Sequence, residues 1–360
     1  MGRRLSYIDP IAGITLFLLS VFGIGVLFTL DSSFGTQQII YTVIGIGLFF
    51  LLSRIPAYIY EGFAPFLYIG SIILLIATLF TPPIRGASRW IMIGSEQIQP
   101  SEVLKPFMLV AFSGLMVRYP PKNIGKIFLH TLLFLLPFFL IFRQPDLGSA
   151  IVYFVMWLSM MMAAGLPIRY VVTGIISTIV LSPLLWHFLA QYQKDRLLTF
   201  VNPSLDPAGT GYNAIQSMIA IGSGGFFGKG LGLGTQSTLR FLPEYHTDFI
   251  FASTVEELGF FGGLIIFILF GLLLSRLIKP YLSDYLRDDS AFIYTSGLFA
   301  MMLVQVTVNS GMNMGVLPIT GITFPLLSFG GSSILSIYTA FGISMSFLER
   351  QWKARTIAVH

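Results

Sequence analysis

Long apolar runs recur along nearly the whole chain, each close to the length of a bilayer-crossing helix and separated from the next by a polar stretch. A hydrocarbon core of about 30 Å needs roughly 20 apolar residues per helix. Ten segments fit that pattern: 11–30, 37–53, 63–80, 102–118, 127–142, 148–166, 169–190, 249–275, 290–310 and 325–348. Only Arg143-Gln144-Pro145-Asp146-Leu147 separates the fifth from the sixth, which predicts a helical hairpin turning near one interface. The pattern breaks at 191–247, a stretch of 57 residues rich in Gly, Pro and Asn, with charges at both ends. Loops of this length in a compact protein are usually functional or disordered. Its middle, 212–221, carries one apolar side at helical spacing and suits a helix lying on the membrane surface or re-entering it. The expectation is an all-α integral membrane protein of about ten transmembrane helices. It forms one polytopic domain over 1–360, with a long extracytoplasmic loop at 191–247 and no internal repeat.

Composition strengthens that reading. The chain is 55% hydrophobic and 10% charged, whereas soluble domains carry about 25% charged residues. A net charge of +5 does not call for nucleic acid, because cytoplasmic loops of polytopic proteins collect Lys and Arg. With no Cys, disulfides, thiol catalysis and thiolate metal sites are excluded. The first apolar run is too long for a signal peptide and has no clear cleavage site, so it is expected to stay as the first span. With the N-terminus in the cytoplasm, ten spans return the C-terminus there. The inside then holds Arg3, Arg4, Arg54, Arg118, Lys122, Lys126, Arg169, Arg276, Lys279, Arg287, Arg350, Lys353 and Arg355, 13 of the 21 basic residues.

Few polar features could carry chemistry. The run Ile221–Gly230 is Gly-rich but fails the phosphate-loop pattern at Ser223 and Gly230. The four His residues show no metal-ligand spacing. Asp248 has two readings: a first-turn anion behind a Thr247 helix cap, or a carboxylate at the outer boundary facing a substrate held by the long loop. Glu256 and Glu257 lie eight and nine residues further on, about 12–14 Å deeper along a helix, where carboxylates either pair with a neighbour or act. Glu102 and Lys105, three apart, read as an ion pair or as a cation kept for a diphosphate. Asp146 marks the hairpin turn, and Lys194, Arg196, Lys229 and Arg240 place cations on the same side.

These residues fall in ordered motifs. Gly86-Ala87-Ser88-Arg89-Trp90-Ile91, Gln99-Pro100-Ser101-Glu102 through Lys105-Pro106, and Gln144-Pro145-Asp146-Leu147-Gly148 come first. Gly232–Ser237, Phe241–Glu244 and His246–Phe251 follow, then Asn309-Ser310-Gly311-Met312-Asn313 and Gly330-Gly331-Ser332-Ser333. Together they resemble the SEDS family (shape, elongation, division and sporulation proteins), and the Gly-Thr-Gln-Ser stretch is more similar to its elongation branch, RodA, than to its division branch, FtsW. Phe329 stands where that pattern expects Tyr.

The resemblance implies a glycosyltransferase of the bacterial cytoplasmic membrane that polymerises lipid II into peptidoglycan strands for rod shape. It implies Asp248 as the catalytic aspartate and a class B penicillin-binding protein, the transpeptidase, as partner. Trp90, Arg89, Glu102, Lys105, Asp146, Arg196, Lys229, Arg240 and Ser332 become candidates for substrate binding or structural support. Asp248 would serve as general base, and Lys105, Arg196, Lys229 or Arg240 would receive the departing diphosphate. A helix N-terminus would lower the pKa of Asp248 and weaken it as a base. A metal-ligand role for Asp248, with Mg or Mn, would ease that conflict. The competing classes are a flippase for the lipid-linked precursor and a non-catalytic scaffold for the transpeptidase.

Overall fold

The computed structural model describes residues 9–84, 86–94, 96–206, 209–281 and 288–358. Arg3, Arg4 and Arg287, counted above towards the cytoplasmic face, lie outside them. Each of the ten apolar segments falls on a helix. The first three are α1 (Pro10–Leu30), α2 (Ser32–Ser53) and α3 (Ala57–Thr78). Asp9 starts α1 by accepting from the N–H groups of Ile11 and Ala12, and Asp31 starts α2 through Ser33. These are N-cap bonds that satisfy donors the helix itself cannot.

After α3 the chain forms a feature the apolar pattern did not show, a small hairpin of β1 (Ile91–Ile93) and β2 (Glu96–Ile98). The fourth segment is split into α4 (Pro100–Val103) and α5 (Lys105–Arg118), followed by α6 (Ile124–Arg143) and α7 (Leu147–Ala163). The expected hairpin turn thus lies between Arg143 and Leu147. Asp146 makes it by capping α7 at Ser149, 3.0 Å away. The seventh segment, α8 (Ile168–Phe188), stands apart from the bundle and is exposed along most of its length.

The stretch 191–247 is more structured than an open loop. It holds α9 (Gln191–Val201), α10 (Thr210–Gly224) and the single turn α11 (Thr235–Thr238). The helical spacing read at 212–221 is α10. Then come α12 (Ile250–Ile278), α13 (Asp289–Asn313) and α14 (Gly331–Ala358). The last begins six residues later than the apolar run, because 325–330 is a turn that packs against the site. Among the described residues seven helices are long and apolar enough to cross a membrane, and α7 and α8 add shorter apolar ones.

α14 packs along α2, α13 along α7, and α3 along α5, so α13 and α14 form the buried centre. Lipid-facing helices keep large apolar side chains exposed, as a bilayer solvent allows. α12 is interrupted at Gly259, where φ is 70° and ψ −167°. A Cβ there would lie 2.3 Å from the Gly228 nitrogen, so only glycine fits. The segment 225–230 fills the break. Lys229 and Gly230 donate to the carbonyls of Glu256 and Glu257, and Phe260 donates to Gly225. Backbone groups freed inside a membrane need such partners.

Candidate functional site

The site lies at the end of the bundle where α1 meets α2 and α13 runs towards α14. Asp248 sits in the turn before α12, not within it: the helix opens at Ile250 with Phe249 as N-cap and no side-chain cap bond. The capping reading is therefore corrected. The Thr247 hydroxyl bonds to Glu244, and the Glu244 carbonyl accepts from the N–H groups of Thr247 and Phe249. Glu244 itself has φ 51°, a left-handed conformation that costs a non-glycine residue about 1–2 kcal/mol. This turn lifts Asp248 out of helical register.

Neighbouring elements fix the turn. The Ser328 hydroxyl donates to the Thr247 carbonyl (2.6 Å), and the Phe329 N–H donates to the His246 carbonyl (2.8 Å). Gln38 of α2 reaches across to bond Ser328 and Gly330. The His246 ring stacks on Phe34 at 4.3 Å, and Phe329 leans on both rings. Phe329, where a Tyr was expected, thus fills an aromatic cluster behind the turn.

Among the described residues nothing donates a hydrogen bond to the Asp248 carboxylate. That group is half-buried and feels Glu244, Arg89, Arg196 and Asp146. Burial comes first and the Glu244 charge second, and they outweigh the two arginines, so its pKa is pushed up to about 6. The lowering expected from a helix N-terminus is overturned, because Asp248 is not part of the helix and desolvation dominates.

Arg196, on α9, donates to the Thr320 carbonyl at 3.1 Å and lies over the Tyr192 ring. Burial lowers its pKa, with Asp248 working against that shift; a guanidinium stays charged regardless. Arg89 lies over the Trp90 ring, and its Nε is buried without a hydrogen-bond partner among the described residues. Beside Arg196, an apolar crevice is lined by Met218, Met312, Leu317 and Ile319.

Asp146, although near, is committed. It accepts from Gln99 (2.7 Å), Ser101 (3.2 Å) and the Ser149 N–H. The Ser332 hydroxyl accepts from the Gln99 N–H at 3.0 Å, which joins α14 to this network. Glu102 and Lys105 form a buried ion pair at 2.6 Å, with the Lys105 side chain 1% exposed. Lys229 is drawn to Glu256 at 2.7 Å, where Thr235 and Gln236 also bond the carboxylate. Asp31 is held below the usual carboxylate pKa chiefly by the bonds from Ser33, and the Arg240 charge adds to that. Of the cations named from the sequence, the structure brings Arg89 and Arg196 to Asp248.

Four contributors carried no assigned role in the sequence reading: Gln99, Glu244, Asn309 and Asn313. All stood inside its motifs, but only the fold reveals which atoms they touch. Among the described residues no group of three or more His, Asp or Glu side chains converges. The nearest carboxylates, Asp248 and Glu244, share their space with two arginines. That donor set does not fit a resident divalent ion, and a Mg2+ or Mn2+ here would be held largely by substrate phosphate oxygens.

The profile of the FtsW/RodA/SpoVE family, described as cell cycle proteins, matches residues 8–352. A peptidoglycan glycosyltransferase MrdB of Escherichia coli is 38% identical over 349 residues, covering 94% of this chain and 93% of that one. A peptidoglycan glycosyltransferase RodA of Treponema pallidum is 32% identical over 418 residues, covering 93% of this chain and 96% of that one. A solved structure of a peptidoglycan synthase complex that coordinates polymerisation and crosslinking contains a chain 31% identical, with TM-score 0.80. That match covers 95% of this chain and 97% of the other. Matches of this extent make the chain a member of the SEDS family.

Proposed function

We propose that this chain is a peptidoglycan glycosyltransferase that polymerises lipid II at the outer face of the bacterial cytoplasmic membrane, with Asp248 as general base. The observation that carries the reading is a half-buried carboxylate with a pKa of about 6, without a hydrogen-bond donor among the described residues, beside two arginines. A base works best with a pKa near the operating pH. Asp248 takes the proton from the 4-hydroxyl of one lipid-linked disaccharide as that oxygen attacks the anomeric carbon of another. The bond from that carbon to the diphosphate oxygen breaks, and the electron pair leaves with polyprenyl diphosphate. Arg89 and Arg196 stabilise the departing charge.

Lys105 and Lys229 support the scaffold in this reading, because each already neutralises a buried carboxylate. Relatives named peptidoglycan glycosyltransferase support the activity, and likeness to a solved RodA described as rod shape determining supports the role in rod shape. The similarity to a chain of a synthase complex supports a class B penicillin-binding protein as partner. Replacing Asp248 with Asn is expected to abolish glycan strand synthesis from purified lipid II while the protein stays folded. Strands made at the normal rate by that variant would sink the assignment.

A further inference from the structure

Asp248 reaches its position by losing a helical bond. In an unbroken helix the N–H of Ala252 would donate to the carbonyl of Asp248, four residues earlier. Here the Ala252 N–H donates to Asn313 Oδ1 at 3.0 Å. The Asp248 carbonyl accepts from Asn313 Nδ2 at 3.0 Å and from Asn309 Nδ2 at 2.9 Å. The side-chain amide of Asn313 is thus inserted between the two partners of the first bond α12 could have made.

Asn309 and Asn313 are four apart on α13 and share a face. Both are fully buried. Asn309 Nδ2 also donates to the Ile322 carbonyl at 2.6 Å, in the segment that leads to the 324–330 turn. Asn313 Nδ2 further bonds the Asn309 carbonyl at 2.8 Å, and the Ser217 hydroxyl holds the Asn313 carbonyl from α10. The pair therefore ties Asp248 to α13, α10 and the loop before α14. Burial makes the arrangement costly to leave unpaired, because each amide would lose partners it cannot recover from water.

We propose that Asn309 and Asn313 are positioning residues for the glycosyl transfer, which keep Asp248 out of α12 by occupying the hydrogen bonds that would draw it in. This rests on the reading of Asp248 as the base. Without the amides, the Ala252 N–H and the Asp248 carbonyl are free to join, and the aspartate turns into the first helical turn. Its carboxylate then leaves the arginines and gains the favourable end of the macrodipole.

The test compares Asn309→Ala, Asn313→Ala and Asp248→Asn in detergent or vesicles, with purified lipid II as substrate. Gln305→Ala is the control: it removes another buried polar side chain of α13 that plays no part in holding Asp248. Asn variants are expected to keep the KM for lipid II within about 2-fold and lose about 10- to 100-fold in kcat, the scale of a misplaced catalytic group. The acid limb of the pH–kcat profile should move to lower pH, with Glu244, Arg89, Arg196 and Asp146 still facing the site. Gln305→Ala should lower thermal stability without that movement.

Isosteric Asn309→Asp and Asn313→Asp, which keep the volume but remove the donor, replace any alanine variant that fails to fold. Folded Asn variants with normal kcat and an unmoved limb, beside an inactive Asp248→Asn, overturn the positioning alone. An active Asp248→Asn overturns the base and this proposal together. Failure of both substitutions to fold, or a kcat loss matched by Gln305→Ala, assigns the amides to structure only.

Discussion

A carboxylate whose pKa rises from its ordinary 3.8 to about 6 on folding is a liability for stability that the molecule keeps. The ionised form is disfavoured in the native state relative to the unfolded chain, so the penalty is fully present above about pH 6 and fades as pH falls towards the unfolded value. Asp248→Asn should therefore raise the melting temperature near pH 7.5, and the gain should vanish at about pH 4. A gain independent of pH would contradict the burial of the charge. The catalytic counterpart has the opposite sense: polymerisation should climb with pH through about 6 as the base is freed. Asp248 itself was legible in the sequence, but its state was not. Thr247-Asp248-Phe249-Ile250 is a sound helix-start pattern, and only the left-handed Glu244 and the two amides of α13 override it. Those contacts come from 61 and 65 residues away, beyond any local rule.

At the scale of elements, the most informative piece is the broken α12 and the segment that plugs it. Its existence was out of reach of hydropathy, since Gly259 sits within a run apolar enough to read as one span. Glu256 and Glu257 were the visible sign, flagged as paired or functional. Glu256 proves to be paired, with Lys229, Thr235 and the N–H of Gln236 around it. Glu257 bonds Thr29 at the end of α1 (2.6 Å). Removing one member of a buried ion pair strands the other, at a cost of about 3–5 kcal/mol, whereas removing both charges is often nearly neutral. Lys229→Met should consequently destabilise the protein severely, and Lys229→Met combined with Glu256→Gln should recover both folding and polymerisation. A stable but inactive double variant would instead return Lys229 to the group that meets the diphosphate. The hairpin at 91–98 was missed for a simpler reason: strands of three residues are too short to set up a period.

Across the described residues, the site and the start of α1 lie on opposite sides of the bundle. Arg276 at the far end of α12 pairs with Asp9 at the start of α1 (2.7 Å), while Asp248 lies at the near end. The basic residues described at the far end include Arg54, Arg118, Lys122 and Lys126, the distribution expected of a cytoplasmic face. The absence of native Cys makes the orientation directly measurable. A cysteine placed at Ser32 should react with an impermeant maleimide in intact spheroplasts, and one at Lys122 only after lysis; the reverse pattern would invert the topology. Each of the ten apolar segments lies on helix because the bilayer favours runs of about that length, and hydropathy failed where the chain folds upon itself. Residues 191–247 looked like loop because Gly and Pro interrupt them, yet three helices form there, with α10 packed against α12 and α13.

The clasp at that far end sets a limit on how the chain can be modified. Arg350 bonds Glu61 of α3 at 2.8 Å and pairs with Asp288, the cap of α13, while Ser290 joins the same cluster. Three helices are thus fastened by one residue close to the C-terminus. A fluorescent tag or fusion partner belongs beyond that residue. A chain cut before it would lose the fastening of the helix that carries Asn309 and Asn313, so an inactive truncation would say nothing about the tail it removed.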